Sequence, residues 1–357
     1  MGLAAIVMLE AEAAEFYAVA QSEVKEEESV ASEPLACVEI MGRSMLERTI
    51  ERFVRADVDT VTVFALSESA FDVNHLRGAF EKVNFETVDD MGSSLGEELG
   101  KFSQSGIEHA FVISAAVYTE TDLFDLFSFH RESRQTATKA IDRDGPLRFG
   151  IVDCAKAHEM DIESFLMRGE STESSYFIRE YVSRLAHSRD LRRTVTDALS
   201  GRCEMRPSGK EVKPGIWIDE GAQIHRRARI VAPAYIGRGA KVQQDTVITR
   251  CSSVEKDCYV DCGTVIEDSS ILSDTHIGIS VDVCHAVVSG NRLLNLERGV
   301  VLEISDPGVM RSTSSARKQP RTKVPQREER RVVIADLQEE KLSTPEAWQL
   351  GTNPIQG

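Results

Sequence analysis

Every sixth residue from Ile218 onward is aliphatic: Ile218, Ile224, Ile230, Ile236, Val242, Ile248, Val254, Val260, Ile266 and Leu272. Four places further on, the residue is small: Ala222, Ala228, Ala234, Ala240, Thr246, Ser252, Cys258, Thr264 and Ser270, with His276 ending the series. An α-helix repeats its buried face at 3.6 residues, so a period of six excludes it. The period fits a short strand and a turn, three per coil, with the aliphatic residue inside and the small one at the bend. Residues 218–277 are therefore expected to form a left-handed parallel β-helix. Gly221, Gly239, Asp245, Asp257, Gly263 and Asp268 fall near the turns, where left-handed backbone is tolerated. After His276 the register breaks, and Leu293, Leu294, Val300, Val301 and Ile304 suggest a closing cap.

The first 200 residues follow another pattern. Apolar runs at Leu3–Leu9, Thr60–Leu66, Ala110–Ala115, Thr136–Ile141 and Arg148–Val152 read as strands. Between them, Ser44 and Glu47 form a capping box before Leu46, Ile50, Phe53 and Val54. A second helix is expected over 122–134, burying Leu123, Leu126, Phe127 and Phe129. Alternating strands and helices predict a Rossmann-like, mostly parallel sheet. The fold class is thus α/β plus all-β, with an α/β domain over 1–205, a β-helix over 206–306 and a disordered tail over 307–357. Residues 175–200 read as one or two helices, with Asp190 as a cap for the second. Arg179, Arg184, Arg189, Arg192 and Arg193 make this stretch basic: a solvated helix face is the plain reading and an anion site the sharper one.

Composition narrows the function. The chain has 357 residues, 41% hydrophobic, with a formal net charge of −16. That charge would repel a phosphate backbone, so no nucleic-acid partner is expected. No apolar run reaches the 18 residues of a membrane helix, and the apolar N-terminus reads as a buried strand, since it lacks a basic flank. None of the seven cysteines forms a Cys-x-x-Cys pair, which fits reduced thiols in a cytoplasm. Cys251, Cys258, Cys262 and Cys284 gather in the repeat, where Cys258 is explained by packing. Basic, apolar-poor sequence follows Pro307, and then 332–337 offers a short apolar segment able to add to a sheet edge.

An α/β domain followed by hexapeptide repeats resembles the sugar-1-phosphate nucleotidyltransferases. Residues 34–46, PLACVEIMGRSML, are similar to that family's strand before a capped helix, and 46–64, LERTIERFVRADVDTVTVF, continue as helix, turn and strand. Phe111–Phe129 resembles its central strand, metal-aspartate turn and following helix, and 148–152, RFGIV, its next strand. The resemblance implies a nucleotide held by a Gly-rich loop, a phosphate-contacting lysine, and Mg²⁺ on an aspartate. This chain departs at each point. No glycine occurs between Gly2 and Gly42, and Glu10 opens an acidic segment where the loop belongs. Glu33 stands where the lysine belongs, turning attraction into repulsion of about 4 kcal/mol per contact. Ala116 stands where the metal aspartate belongs, and neither a Glu-Lys-Pro motif nor a second metal aspartate is found.

The expected function is a nucleotidyltransferase-like protein that has lost catalysis and serves as a regulatory or scaffold subunit in nucleotide-sugar or polysaccharide metabolism. It would assemble as a homo-oligomer through the β-helix or as a hetero-oligomer with an active relative. Alternatives are an active enzyme with a rebuilt site, using Mg²⁺, and ligand sensing by the degenerate pocket near Glu10, Glu33 and Ala116. A hexapeptide acyltransferase is a further alternative. It would need a histidine base, for which His276, His225 and His285 are available and Asp274 or Asp282 could orient the ring. His276 is singled out because it takes a small residue's place in the repeat.

Overall fold

The computed structural model describes residues 2–9, 34–67, 80, 83–158, 160–167, 175–313 and 332–333. The N-terminal part is a seven-stranded sheet in the order β3-β2-β1-β4-β7-β6-β8. Its strands are β1 (Gly2–Leu9), β2 (Thr60–Leu66), β3 (Val83–Val88), β4 (Ile107–Ser114), β6 (Ala137–Asp142), β7 (Gly145–Asp153) and β8 (Ser175–Phe177). A separate ribbon pairs β5 (Val117–Thr119) with β9 (Val182–Arg184). Pairing is parallel from β3 through β4, and β7 runs antiparallel to both β4 and β6.

Strand β1 is buried on both faces, and its side chains alternate between two cores. Ala5, Val7 and Leu9 pack against Leu46, Ile50 and Phe53 of helix α1 (Met45–Arg55). Ala4, Ile6 and Met8 face Leu95, Leu99 and Phe102 of helix α2 (Met91–Gln104). Helix α3 (Leu123–Ser133) adds Leu126 to the first core, while two short helices, α4 (Cys154–Ala157) and α5 (Ile162–Met167), close the second. The capping box at Ser44 and Glu47 is present.

Residues 175–200, expected as one or two helices, contain one, and their first part is strand. They form β8, β9 and a single helix, α6 (Ser188–Leu199). Tyr176 and Phe177 pair with β6, and Val182 with β5, as aromatic and β-branched residues favour. Asp190 caps α6 from its first turn, its carboxylate accepting the His187 N–H at 2.8 Å.

From Ile216 the chain winds through three parallel ladders. One side stacks Ile216–Ile218, Ala234–Ile236, Ser252–Val254, Ser270–Ile271 and Ala286–Ser289. The other two stack the intervening strands in the same order. This arrangement is compatible with the expected β-helix. Partners lie 18 residues apart at first, as Ala234 and Ser252 do. Ile236, Val242, Ile248, Val254, Val260 and Ile266 fill the interior, fully or almost fully buried.

The register then changes. Ser253 pairs with Ser270 and Val260 with Ile277, which are 17 residues apart. The corner that uses Arg250 and Cys251, both left-handed, is made one coil later by Asp268 alone, at φ 45°. Ile271 therefore takes the interior place expected for Leu272, which instead packs towards the sheet domain. Likewise Thr275 takes the small position expected for His276 and is fully buried. Antiparallel strands Arg292–Asn295 and Val300–Glu303 close the stack. Met310–Ser312 pairs antiparallel with Thr275–Ile277, so ordered structure extends past Pro307. Val332 and Val333 pair with Val281 and Asp282.

The two parts share a buried cluster in which Ile40, Met41 and Met45 meet Tyr235, Leu272 and Val287, flanked by Leu191 and Val195 of α6. Two ionic side chains anchor it. The Glu255 carboxylate, fully buried, accepts the Met41 N–H at 2.9 Å and the Gly42 N–H at 3.2 Å. Gly42 must be glycine: its φ is +80°, and a Cβ would lie 2.5 Å from the Tyr235 hydroxyl. Arg192 of α6 donates to the carbonyls of Arg250, Cys251 and Asp268 and to the Asp268 carboxylate.

Two outcomes follow. Replacing Arg192 by Ala strips these donors from a coil corner and should cost about 2–4 kcal/mol in urea unfolding, the lower end reflecting a partly exposed Asp268. Burial pushes the Glu255 carboxyl up to about 7 from 4.5, against the pull of the two N–H groups. Its protonated form is the one the fold prefers, so this contribution is complete below pH 4.5 and is lost as pH rises through 7. The stability of the natural chain relative to Glu255→Gln should therefore fall by on the order of 1–3 kcal/mol between pH 5 and 8. A difference independent of pH would refute it.

Candidate functional site

In an open α/β sheet, ligands enter where the chain leaves one strand for opposite sides, beyond the carboxyl ends. Here that point lies between β1 and β4, whose neighbours β2 and β7 lead to opposite edges. The carboxyl ends are Leu9 and Ser114. Among the described residues, the space there is a cavity of about 10 Å³ lined by Leu9, Pro34, Leu35, Ala36 and Ser114 to Ala116. That is the room one water molecule needs. Leu9, Leu35, Ala36 and Ala115 are each at most 3% exposed.

The backbone is engaged as well. Ala115 N–H donates to Met8 O at 2.8 Å, Ala116 N–H to Ser114 Oγ at 3.3 Å, and Leu185 N–H to Ala116 O at 2.8 Å. Ala116 lies two residues past the end of β4, while Glu10 and Glu33 lie outside the described residues. Mg²⁺ binds through carboxylate and other oxygen ligands. The cavity offers it no carboxylate among the described residues, so these residues do not fit the ion.

His276 lies on an outer face of the stack, opposite Tyr259, with ring centroids 5.3 Å apart and planes at 23°. It is nonetheless only 6% exposed, because Met310–Ser312 lies beside it with Arg311 opposite. Its Nδ1 has no hydrogen-bond partner among the described residues, and its Nε2 is 4.0 Å from Asp261. Burial, aided by Arg311, lowers the ring's pKa to about 4. Such a ring is a weak base at neutral pH, far from the value that suits proton transfer there.

His285 is differently placed. It is half-buried, its Nδ1 lies 2.6 Å from Asp268 and its Nε2 3.6 Å from Glu297. The carboxylate that orients a histidine is therefore that of Asp268, a residue the sequence marked only as a turn. Asp274 hydrogen-bonds Thr313 instead. His225 accepts the Arg227 N–H at 3.2 Å in a turn. Cys258 donates to Leu272 O at 3.0 Å, and no three His, Cys, Asp or Glu side chains converge as metal ligands among the described residues. No described helix is long and apolar enough to cross a membrane.

The chain matches no protein-family model and no curated protein. Solved structures do match about half of it, over nearly their whole length. One is a Bacillus anthracis protein assigned as a glucose-1-phosphate thymidylyltransferase, in complex with sucrose. It shows 10% identity and a TM-score of 0.39 over 54% of this chain and 93% of that one. Two are HddC from Yersinia pseudotuberculosis, one with GMP-PN bound. They show 12% and 13% identity and TM-scores of 0.37 and 0.36, over 53% of this chain and 96% of theirs.

The His276 ring should stay neutral from pH 8 down to about 5, read from its imidazole ¹⁵N shifts in an NMR titration. Its depressed pKa also means that stability held above pH 6.5 is lost as pH falls towards 4. A midpoint near 6.5 would show a ring open to solvent.

Proposed function

We propose that this chain is a nucleotidyltransferase-like protein that has lost catalysis. It acts as a regulatory or scaffold subunit in nucleotide-sugar or polysaccharide metabolism. Its repeat is read as a left-handed β-helix through which it assembles, either with itself or with an active relative. The observation that carries this reading is the strand-end crevice, which among the described residues is a cavity of about 10 Å³ walled by Leu9, Leu35, Ala36 and Ala115. A bound nucleotide would need hundreds of cubic ångströms in the same place. Ala116 supplies no carboxylate, so the charge neutralisation that phosphoryl-type transfer demands has no anchor there.

The test is an assay for pyrophosphate release by the full chain, given each nucleoside triphosphate, Mg²⁺ and mixed sugar-1-phosphates. Release should not exceed that of a protein-free control. Steady, enzyme-dependent release would overturn the reading and point to a rebuilt site.

A further inference from the structure

A second cavity, of about 690 Å³, opens between the β6–β7 hairpin and the start of α6. Its volume lies within the 300–1,000 Å³ usual for small-molecule sites. Every cation lining it is an arginine: Arg143 from the hairpin turn, Arg179 and Arg184 from the segment around β9, Arg193 from α6 and Arg202 just beyond it. We propose that this cleft binds the phosphate group of a small molecule through these arginines.

The ion pairs show which guanidinium groups are available. Arg184 is held by Asp142 at 2.7 Å and lies 3.7 Å from Asp144. Arg202 and Arg193 share one carboxylate, that of Asp197, at 2.9 and 3.8 Å. The same carboxylate also accepts the Tyr181 hydroxyl at 3.2 Å. Arg143 and Arg179 have no acidic side-chain partner among the described residues. The remaining carboxylates of the cleft are turned to the backbone: Asp190 accepts the His187 N–H, and Glu180 the Arg179 N–H at 3.1 Å. Two guanidinium forks are therefore left open to a ligand, and two more share a single acid.

Chemistry selects the ligand. A guanidinium offers a planar fork of N–H donors that matches phosphate oxygens two at a time, and arginine stays charged at any physiological pH. Helix α6 begins at the same cleft, and the positive end of its dipole favours an anion there. The whole chain is strongly acidic, but screening confines the influence of distant charges to about 8 Å, and the five arginines of the lining outnumber its four carboxylates, Asp142, Asp144, Glu180 and Asp190. The cleft is separate from the filled strand ends and needs no Mg²⁺, so it stands whether or not catalysis is lost.

Calorimetric titration of the full chain with inorganic pyrophosphate tests the proposal. Saturable binding should appear and weaken as salt is raised. The double variant Arg143→Ala, Arg179→Ala should weaken it about tenfold or more. Both side chains are exposed and without acidic partners, so the variant should keep its circular dichroism. Tighter binding of ADP or glucose 1-phosphate than of inorganic phosphate would also support the site and show which ester it prefers. Absence of heat at millimolar pyrophosphate would overturn the proposal. So would unchanged affinity in the double variant, or an equal loss in a control at Arg226→Ala on the stack.

Discussion

The turn from Ile40 to Gly42 is the point on which both halves of the molecule depend. Its N–H groups at Met41 and Gly42 are taken by Glu255 from the stack. Its carbonyls at Ile40 and Met41 are taken by Arg48 from α1, at 3.1 and 3.4 Å. An acid and a base thus clamp one piece of backbone from opposite sides without touching each other. Both are buried, and burial raises the pKa of Glu255 and lowers that of Arg48. Buried ionic groups add little net stability over apolar replacements, but losing one partner leaves polar groups stranded. The clamp therefore fixes where the sheet domain sits on the stack more than how strongly it holds. Arg192 repeats the principle at a coil corner, where left-handed residues turn carbonyls outward.

Much of this architecture was legible in the sequence, and its failures have physical causes. The six-residue period gives the interior up to Ile266 correctly, because each side of a coil uses the same number of residues. It fails at Asp268, because a single left-handed residue can turn a corner that two residues turned before. Counting along the chain cannot register that saving, whereas the ladder does, by pairing Ser253 with Ser270. The placement of His276 fails with it. In the sheet, β1 and β2 were clear because they are buried on both faces and read as continuous apolar runs. Strand β3 was missed because it is an edge, with exposed Asn84 and Glu86 alternating with buried Val83 and Phe85.

The basic stretch from Arg179 to Arg193 shows what local sequence leaves out. Its arginines look alike, yet Arg192 rivets the helix to the stack, Arg184 serves the hairpin, and Arg179 is open to the cleft. These roles are set by partners far away in the chain: Asp268 is 76 residues from Arg192, and Asp142 is 42 from Arg184. Spacing along a helix says which side chains share a face, and nothing about what that face meets. The absence of a carboxylate at Ala116 was legible for the opposite reason. A missing carboxylate is a fact of residue type, and no packing restores it.

Among the described residues, the space beyond β1 and β4 is closely packed. Leu9, Leu35, Ala36 and Ala115 meet there, and the Ala115 N–H after β4 is taken by Met8 O of β1. Active sites carry open volume and unpaired polar groups at a cost in stability, and that cost is tolerated for function. Apolar residues that close such an opening gain both buried area and packing contacts. The crevice has the character of core, continuous with the cluster that joins Leu9 and Ala36 to Leu46 and Phe111. In this molecule the described carboxyl ends of β1 and β4 are packed as part of the core that holds the sheet together.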